Sequence, residues 1–293
     1  MTELSTRLSK EEIRQRLREV QSLPTLPPIV GRLNEMVADE DVTAVKLGKV
    51  IEKDQVLTSK LLKMVNSSFF GFPQRIGTVS NALVLLGFNV IKTLIVTSSI
   101  FEVMQASDVG LFEHSLGCAT AAGILARRAG IKNPEEVSTA GLIHDLGKIV
   151  VRAELPELYQ EIITRAEKDS RSMREEEMDV LGMGHGEIGG IVARQWNLPD
   201  RLVMPVEYHH RPEKSPEFKE VSACVHFADI LIRAVGFGNG GDPWVPALDH
   251  QAWGRIKFSR SEMKEILSEL DEKLLELQDF TLNMKPAEEA GGQ

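Results

Sequence analysis

Aromatic residues are scarce. They make up 5% of the 293 residues, against 42% hydrophobic residues in all. A core must therefore be built from Leu, Ile, Val, Ala and Met, which suits helices better than a β-sandwich or barrel. Cysteine is scarcer still. Cys118 and Cys224 fall in apolar helical patterns and neither has a CxxC partner, which reads as two buried thiols in a reducing compartment. Basic charge is in deficit, with 34 Lys and Arg against 43 Asp and Glu and a formal net charge of -9. An acidic surface repels phosphate backbones, so no nucleic-acid partner is expected. A small phosphorylated ligand in one local basic cleft remains compatible with that charge.

No secretory signal is visible, because the N-terminus is polar and charged. The most apolar stretch, residues 82–101, is interrupted by Asn89 and Lys92 and reads as a core segment rather than a membrane span. A cytoplasmic location without a membrane partner is expected. A phosphate-binding P-loop is not expected either, for there is no GKS or GKT signature. The glycines around His185 (Gly182, Gly184, Gly186, Gly189 and Gly190) read as a flexible entry that lets this histidine approach its neighbours. No Ser-His-Asp or Cys-His arrangement stands out, and neither a sustained period-2 pattern nor a tandem repeat is present.

What is present is helical periodicity. An extension over 1–22 carries a charged run at 11–21. The sequence LPTLPP at 23–28 opens the folded part, since prolines can precede a helix. Apolar spacing continues from Ile29 to Val37 and predicts helices over 45–52, 56–65, 76–86 and 88–103, with Gly71 and Pro73 as punctuation. A second part, 106–235, predicts helices over 111–129, 134–151, 157–168, 185–196, 200–209 and 218–235. Residues 236–242 are Gly-rich and read as a flexible loop. A final helix over 260–277, capped by Ser259 or Ser261, completes a 236–284 segment, and 285–293 reads as a frayed tail. The fold class is all-α, with an N-terminal helical half at 23–105.

Seven histidines occur. Five of them form an ordered series with two aspartates: His114, His144-Asp145, His185, His209-His210 and Asp229. Imidazole and carboxylate together suit transition metals better than Ca or Mg. A carboxylate amid histidines can bridge two ions ~3.5–4 Å apart, close enough to clamp a water and phosphoryl oxygens. His226 and His250 read as ordinary core or surface residues. His210 stays open between ligand and neighbour. Lys148 follows Asp145 by three residues and His144 by four, which on one helix puts it on their face, as a cation for an anionic phosphate or as a solvated lysine.

The blocks LPTLPPIVGRLNEMV, KDQVLTSKLLKMVNSSFFGFP and TVSNALVLLGFNVIKTLIV resemble the N-terminal half of the HDOD domain. The positions Asp54-Gln55, Asn66-Ser67-Ser68 and Leu86-Gly87 match its pattern, and the resemblance spans roughly residues 20–230. HDOD domains are relatives of the HD superfamily of metal-dependent phosphohydrolases, many of which have lost the ligands, so the resemblance implies an HD-like helical bundle and a bacterial signalling output. His144-Asp145-Leu146-Gly147-Lys148 is similar to the HD motif with its trailing lysine. The other residues of the series fall at positions similar to the ligands of HD-GYP phosphodiesterases. The resemblance implies two divalent or mixed-valence ions, iron or manganese. One would be held by His114, His144, Asp145 and Asp229, the other by Asp145, His185 and His209 with His210 beside it. Asp145 and Lys148 would be catalytic, Lys148 contacting substrate phosphate while activated water attacks phosphorus.

Two departures bear on this. His210 is followed by Arg211-Pro212-Glu213-Lys214 rather than the Gly-Tyr-Pro segment of HD-GYP enzymes, which speaks against cyclic di-GMP. Gly110 stands where trinuclear relatives place Glu, which speaks against a third ion. The resemblance thus carries two expectations: a metal-dependent phosphohydrolase or phosphodiesterase acting on a nucleotide-type phosphoester, or a non-catalytic signalling module that binds a protein partner and keeps the metal as a structural or sensory element.

Overall fold

A computed structural model describes residues 9–18, 28–37, 42–67, 70, 72–107 and 109–282, and among them every regular element is helical. The N-terminal part comprises α1 (Lys10–Arg18), α2 (Pro28–Val37), α3 (Ala44–Ile51), α4 (Gln55–Val65) and α5 (Val79–Ser107). There follow α6 (Val109–Arg128), α7 (Pro134–Ile143), α8 (Leu146–Glu154), α9 (Pro156–Asp169), α10 (Met173–Val180), α11 (His185–Gln195) and α12 (Asp200–Tyr208). A 3-10 turn at Pro212–Lys214 leads to α13 (Lys219–Val235), α14 (His250–Ile256) and α15 (Arg260–Leu282). The proline-rich run 23–27, Ser68, Gly71 and the tail at 285–293 lie outside the described residues.

Side-chain caps set several helix starts. Thr43 accepts from the Lys46 amide at 3.2 Å and Asp54 from the Leu57 amide at 3.0 Å. Ser172 and Glu175 form a reciprocal capping box. Of the two serines before α15, Ser259 is the cap, accepting from the Glu262 amide at 3.3 Å.

The second part is organised round α6. Its residues from Leu111 to Ala126 are almost all buried, because α7, α13 and α15 pack against it from several sides. A helix apolar all round is a core helix. By length and composition α6 is long and apolar enough to cross a membrane, yet 83% of its most apolar stretch is buried within the protein. Gly141 of α7 lets the two helices close up, since a Cβ there would lie 2.8 Å from the Cys118 carbonyl oxygen.

The structure differs from the sequence reading in several places. The helix expected to start at 76 starts at Val79, because Asn66 binds both backbone groups of Ile76, accepting at 2.7 Å and donating at 2.9 Å. The boundary expected between 86 and 88 is present, since Gly87, at φ 78° and ψ 165°, kinks α5 there. The expected helix over 134–151 is two helices, broken at His144-Asp145. The glycines after Gly182 are not a flexible entry. Gly184 caps α11, while Gly186 and Gly190 have no room for a Cβ against Glu207, nor Gly189 against Val206. They are contact points where α11 meets α12.

Candidate metal centre

The ordered series converges from five places in the bundle. His114 lies on α6, His144 and Asp145 at the α7–α8 break, His185 at the first residue of α11, His209 and His210 just beyond α12, and Asp229 on α13. Gly147 is the local reason that Asp145 reaches His185. It sits so close to the His185 carbonyl that no Cβ fits, and the starts of α8 and α11 are thereby pressed together. His144 is fully buried, and His114, Asp145, His185 and His209 are each 1% exposed. Asp229 is buried too, whereas His210 is partly exposed.

Asp145 divides the cluster. Its Oδ2 faces His114 Nε2 at 3.6 Å and His144 Nε2 at 3.3 Å. Asp229 Oδ1 closes that side, 3.1 Å from His114 Nε2 and 4.0 Å from His144 Nε2. Asp145 Oδ1 faces the other way, toward His185 Nε2 at 3.3 Å and His209 Nε2 at 4.0 Å. These two imidazoles lie 3.2 Å apart through Nε2, with His210 Nε2 2.8 Å from His185 Nε2. An ion held tetrahedrally by bonds of ~2.0–2.1 Å sets its ligand atoms about 3.3 Å apart, close to most of these separations.

Hydrogen bonds on the far side of three of the rings set their tautomers. His144 Nδ1 donates to the Gly141 carbonyl at 2.7 Å, and His209 Nδ1 to the Val206 carbonyl at 2.8 Å. His185 Nδ1 donates to Glu177 Oε2 at 2.6 Å. With Nδ1 as the donor, each of these rings turns Nε2 inward, and a neutral ring so held offers a lone pair there. The His185 and His209 lone pairs then confront each other. His144 Nε2 and Asp145 Oδ1 are buried without any hydrogen-bond partner. Converging lone pairs and orphaned acceptors in a buried site are costly, and a bound cation satisfies all of them. The donor set therefore fits transition-metal ions.

Charge in the site is organised around the two carboxylates. Burial pushes Asp145 up, but His144 and Lys148 prevail and hold its carboxyl well below the usual range. Burial likewise acts on Asp229, and Arg233 and His114 bring it well below. His209 is pushed well below the ordinary imidazole value, by burial first and then by His144 and His185. Such values keep carboxylates charged and this imidazole neutral, the forms that bind metal.

Lys148 is 1% exposed, so it is not a solvated lysine. Its Nζ donates to Asp145 Oδ2 and to the Gly240 carbonyl, both at 2.7 Å. Arg233 donates through Nε to Asp229 Oδ1 at 2.9 Å and also binds Gly240 and Asp242. The Gly-rich segment, expected to be a flexible loop, is instead tied down over the centre by these bonds. Asn239 donates to the Gly110 carbonyl at 2.8 Å. Gly110 leaves no space for a Cβ there, so the glycine that departs from the trinuclear pattern admits this loop. A cavity of about 390 Å³ lies between the loop, His114 and Arg233.

Four participants were not legible as such in the sequence. Arg233 follows Asp229 by four residues, a spacing that suggests an ion pair. Cys118 stands in the same relation to His114. Glu177 accepts from both the amide and the ring of His185, and no spacing rule pairs them. His226 is a core histidine, as expected, but its Nδ1 donates to the His209 carbonyl at 2.7 Å while Nε2 accepts from the Asp249 amide at 3.0 Å. Partners behind a metal-bound histidine fix ring and tautomer, and their loss costs about 10–100-fold in metal affinity. Glu177→Gln is accordingly expected to weaken binding of one ion by about that factor, read by metal titration against a chelator. Unchanged affinity would show that His185 needs no such anchor.

A profile of the HDOD domain matches residues 23–212. A solved HDOD domain protein of unknown function from Geobacter sulfurreducens is 28% identical, with a TM-score of 0.69, over 93% of this chain and 98% of that one. A Treponema pallidum protein is 28% identical over 240 residues, 77% of this chain and 44% of its own length. YuxH of Bacillus subtilis is 29% identical over 133 residues, 44% of this chain and 32% of its own length. The chain spans less than half the length of these curated relatives. With the profile covering most of the chain and an all-helical bundle gathering its His and Asp residues, this protein belongs to the HDOD domain family.

Proposed function

We propose that this chain is a signalling module with a closed two-metal centre, in which the metal is a structural or sensory element rather than a catalyst. The two ions, iron or manganese, would be held by His114, His144, Asp145 and Asp229 on one side and by Asp145, His185 and His209 on the other, with His210 beside the second. The observation that carries the reading is closure. All these groups except His210 are at most 2% exposed, and the cation best placed for a substrate phosphate, Lys148, already spends its ammonium on Asp145 and Gly240. A closed site filled by protein groups is the mark of a structural metal, an open position that of a catalytic one. The helices at 23–105 would then be the partner-facing half, and 106–235 the metal-binding half.

A metal-dependent phosphohydrolase is the second reading. The cavity beside His114 and Arg233 favours it, for an anion there would lie within reach of the centre, whose ions would supply Lewis acidity toward a phosphoryl oxygen. The two separate in one experiment. Untagged protein should carry about two ions per chain by elemental analysis and leave phosphoesters and cyclic dinucleotides intact. Turnover that disappears in Lys148→Met would establish the hydrolase instead.

A further inference from the structure

We infer that Cys118 is a further ligand of the ion held by His114, His144, Asp145 and Asp229, so that this half of the centre has a sulfur donor. The inference rests on the metal-centre reading above and specifies its chemistry. Cys118 lies one turn beyond His114 on α6 and is fully buried. Its Sγ is 3.5 Å from His114 Nε2. One donor atom from each of His114, Cys118, His144 and Asp229 lies within 4.8 Å of every other. Bonds of ~2.3 Å to sulfur and ~2.0–2.1 Å to nitrogen that meet near the tetrahedral angle place those two atoms about 3.5 Å apart. The unpartnered His144 Nε2 belongs to the same group, so an independent orphaned donor marks the point at which the sulfur would meet the ion.

The chemistry follows from the thiol. On coordination Cys118 gives its proton to solvent and binds as thiolate. A thiolate shifts preference toward Zn, Fe or Co and away from Mg and Mn. The two halves then differ, one with a sulfur donor and the other with imidazoles and a carboxylate. Cys224, also fully buried, lies in none of the candidate ligand groups and serves as an internal control.

Cobalt(II) is the probe, added anaerobically to metal-free protein. The wild type should show visible ligand-field bands together with a near-ultraviolet sulfur-to-cobalt charge-transfer band. Cys118→Ser should keep the helical circular dichroism and the visible bands but lose the charge-transfer band, and Cys118→Ala should do the same. Cys224→Ser should keep both features. Visible bands without charge transfer in the wild type, or charge transfer that persists in Cys118→Ser, would overturn the sulfur ligand and leave the metal centre standing. Absence of any cobalt spectrum would bring down the metal centre itself, and this inference with it.

Discussion

Asp145→Ala should lose both ions at once, from about two per chain to near none, with a marked loss of stability in the metal-free protein as well. Each carboxylate oxygen faces a different group of imidazoles, so no single remaining residue joins the two halves. The substitution also strands Lys148, 1% exposed and left with one carbonyl partner. Removing one member of a buried ion pair costs roughly 3–5 kcal/mol, because the other charge stays buried without compensation. A double variant separates the two effects. Asp145→Ala with Lys148→Met removes the stranded ammonium and should recover much of the stability, yet none of the metal. Elemental analysis and denaturant titration read these outcomes independently. Metal retained in folded Asp145→Ala would show that the carboxylate does not hold the centre together.

Acid should destabilise the metal-free protein from about pH 6.5 downward. His209 and His210 are held well below the ordinary value of 6.5, by burial first and by neighbouring imidazoles next. Burial also lowers His114 and His226. Between the depressed folded value and 6.5 the unfolded chain binds the proton and the folded chain does not, so stability is full above 6.5 and drains away as pH falls. His144 opposes this. Burial pushes it down, but Asp145 and Asp229 outweigh burial and raise it, so its contribution is full below 6.5 and lost as pH rises through the raised value. Four depressed imidazoles against one raised leave a net loss on acidification. Each pH unit crossed while one such ring stays neutral is worth about 1.4 kcal/mol. Asp145 and Asp229 add a second loss below their ordinary value of 3.8. The expected result is a Tm that falls between pH 7 and pH 5. Loaded protein should release metal over the same interval, since protons compete for the same nitrogens. A Tm that is flat or rises on acidification would refute the burial of neutral imidazoles.

The convergence of the seven residues was legible because histidine and aspartate are sparse in a helical background, and an ordered series of them stands out. The long amphipathic helices were legible from apolar spacing. The break at 144–145 was not, since Ile143, Leu146, Ile149 and Val150 carry the apolar pattern straight across it. Only the site gives a reason for the interruption, which turns one aspartate between two sets of rings. α10 was missed because its sequence, MREEEMDV, looks like a solvated run, whereas Glu176 and Glu177 are 1% exposed. Hydropathy cannot register a buried carboxylate that has an imidazole to hold. The glycines of α11 were misread because a missing Cβ grants freedom and permits close contact alike, and only the neighbouring helix decides between them.

The positions of His114 and Gly240 along the chain also govern the order of assembly. The donors of one small site are drawn from segments far apart in sequence, and the loop that covers it comes after the last of them. Short-range pairs such as α6 with α7 can form early, but Asp229 must close a long loop before it reaches His114, and closures of that kind come late. Until then the histidines are isolated weak binders. During synthesis the chain would therefore become competent for tight metal capture only once α13 has emerged and docked, so that acquisition of the ions records completed folding of this half rather than guiding its first steps.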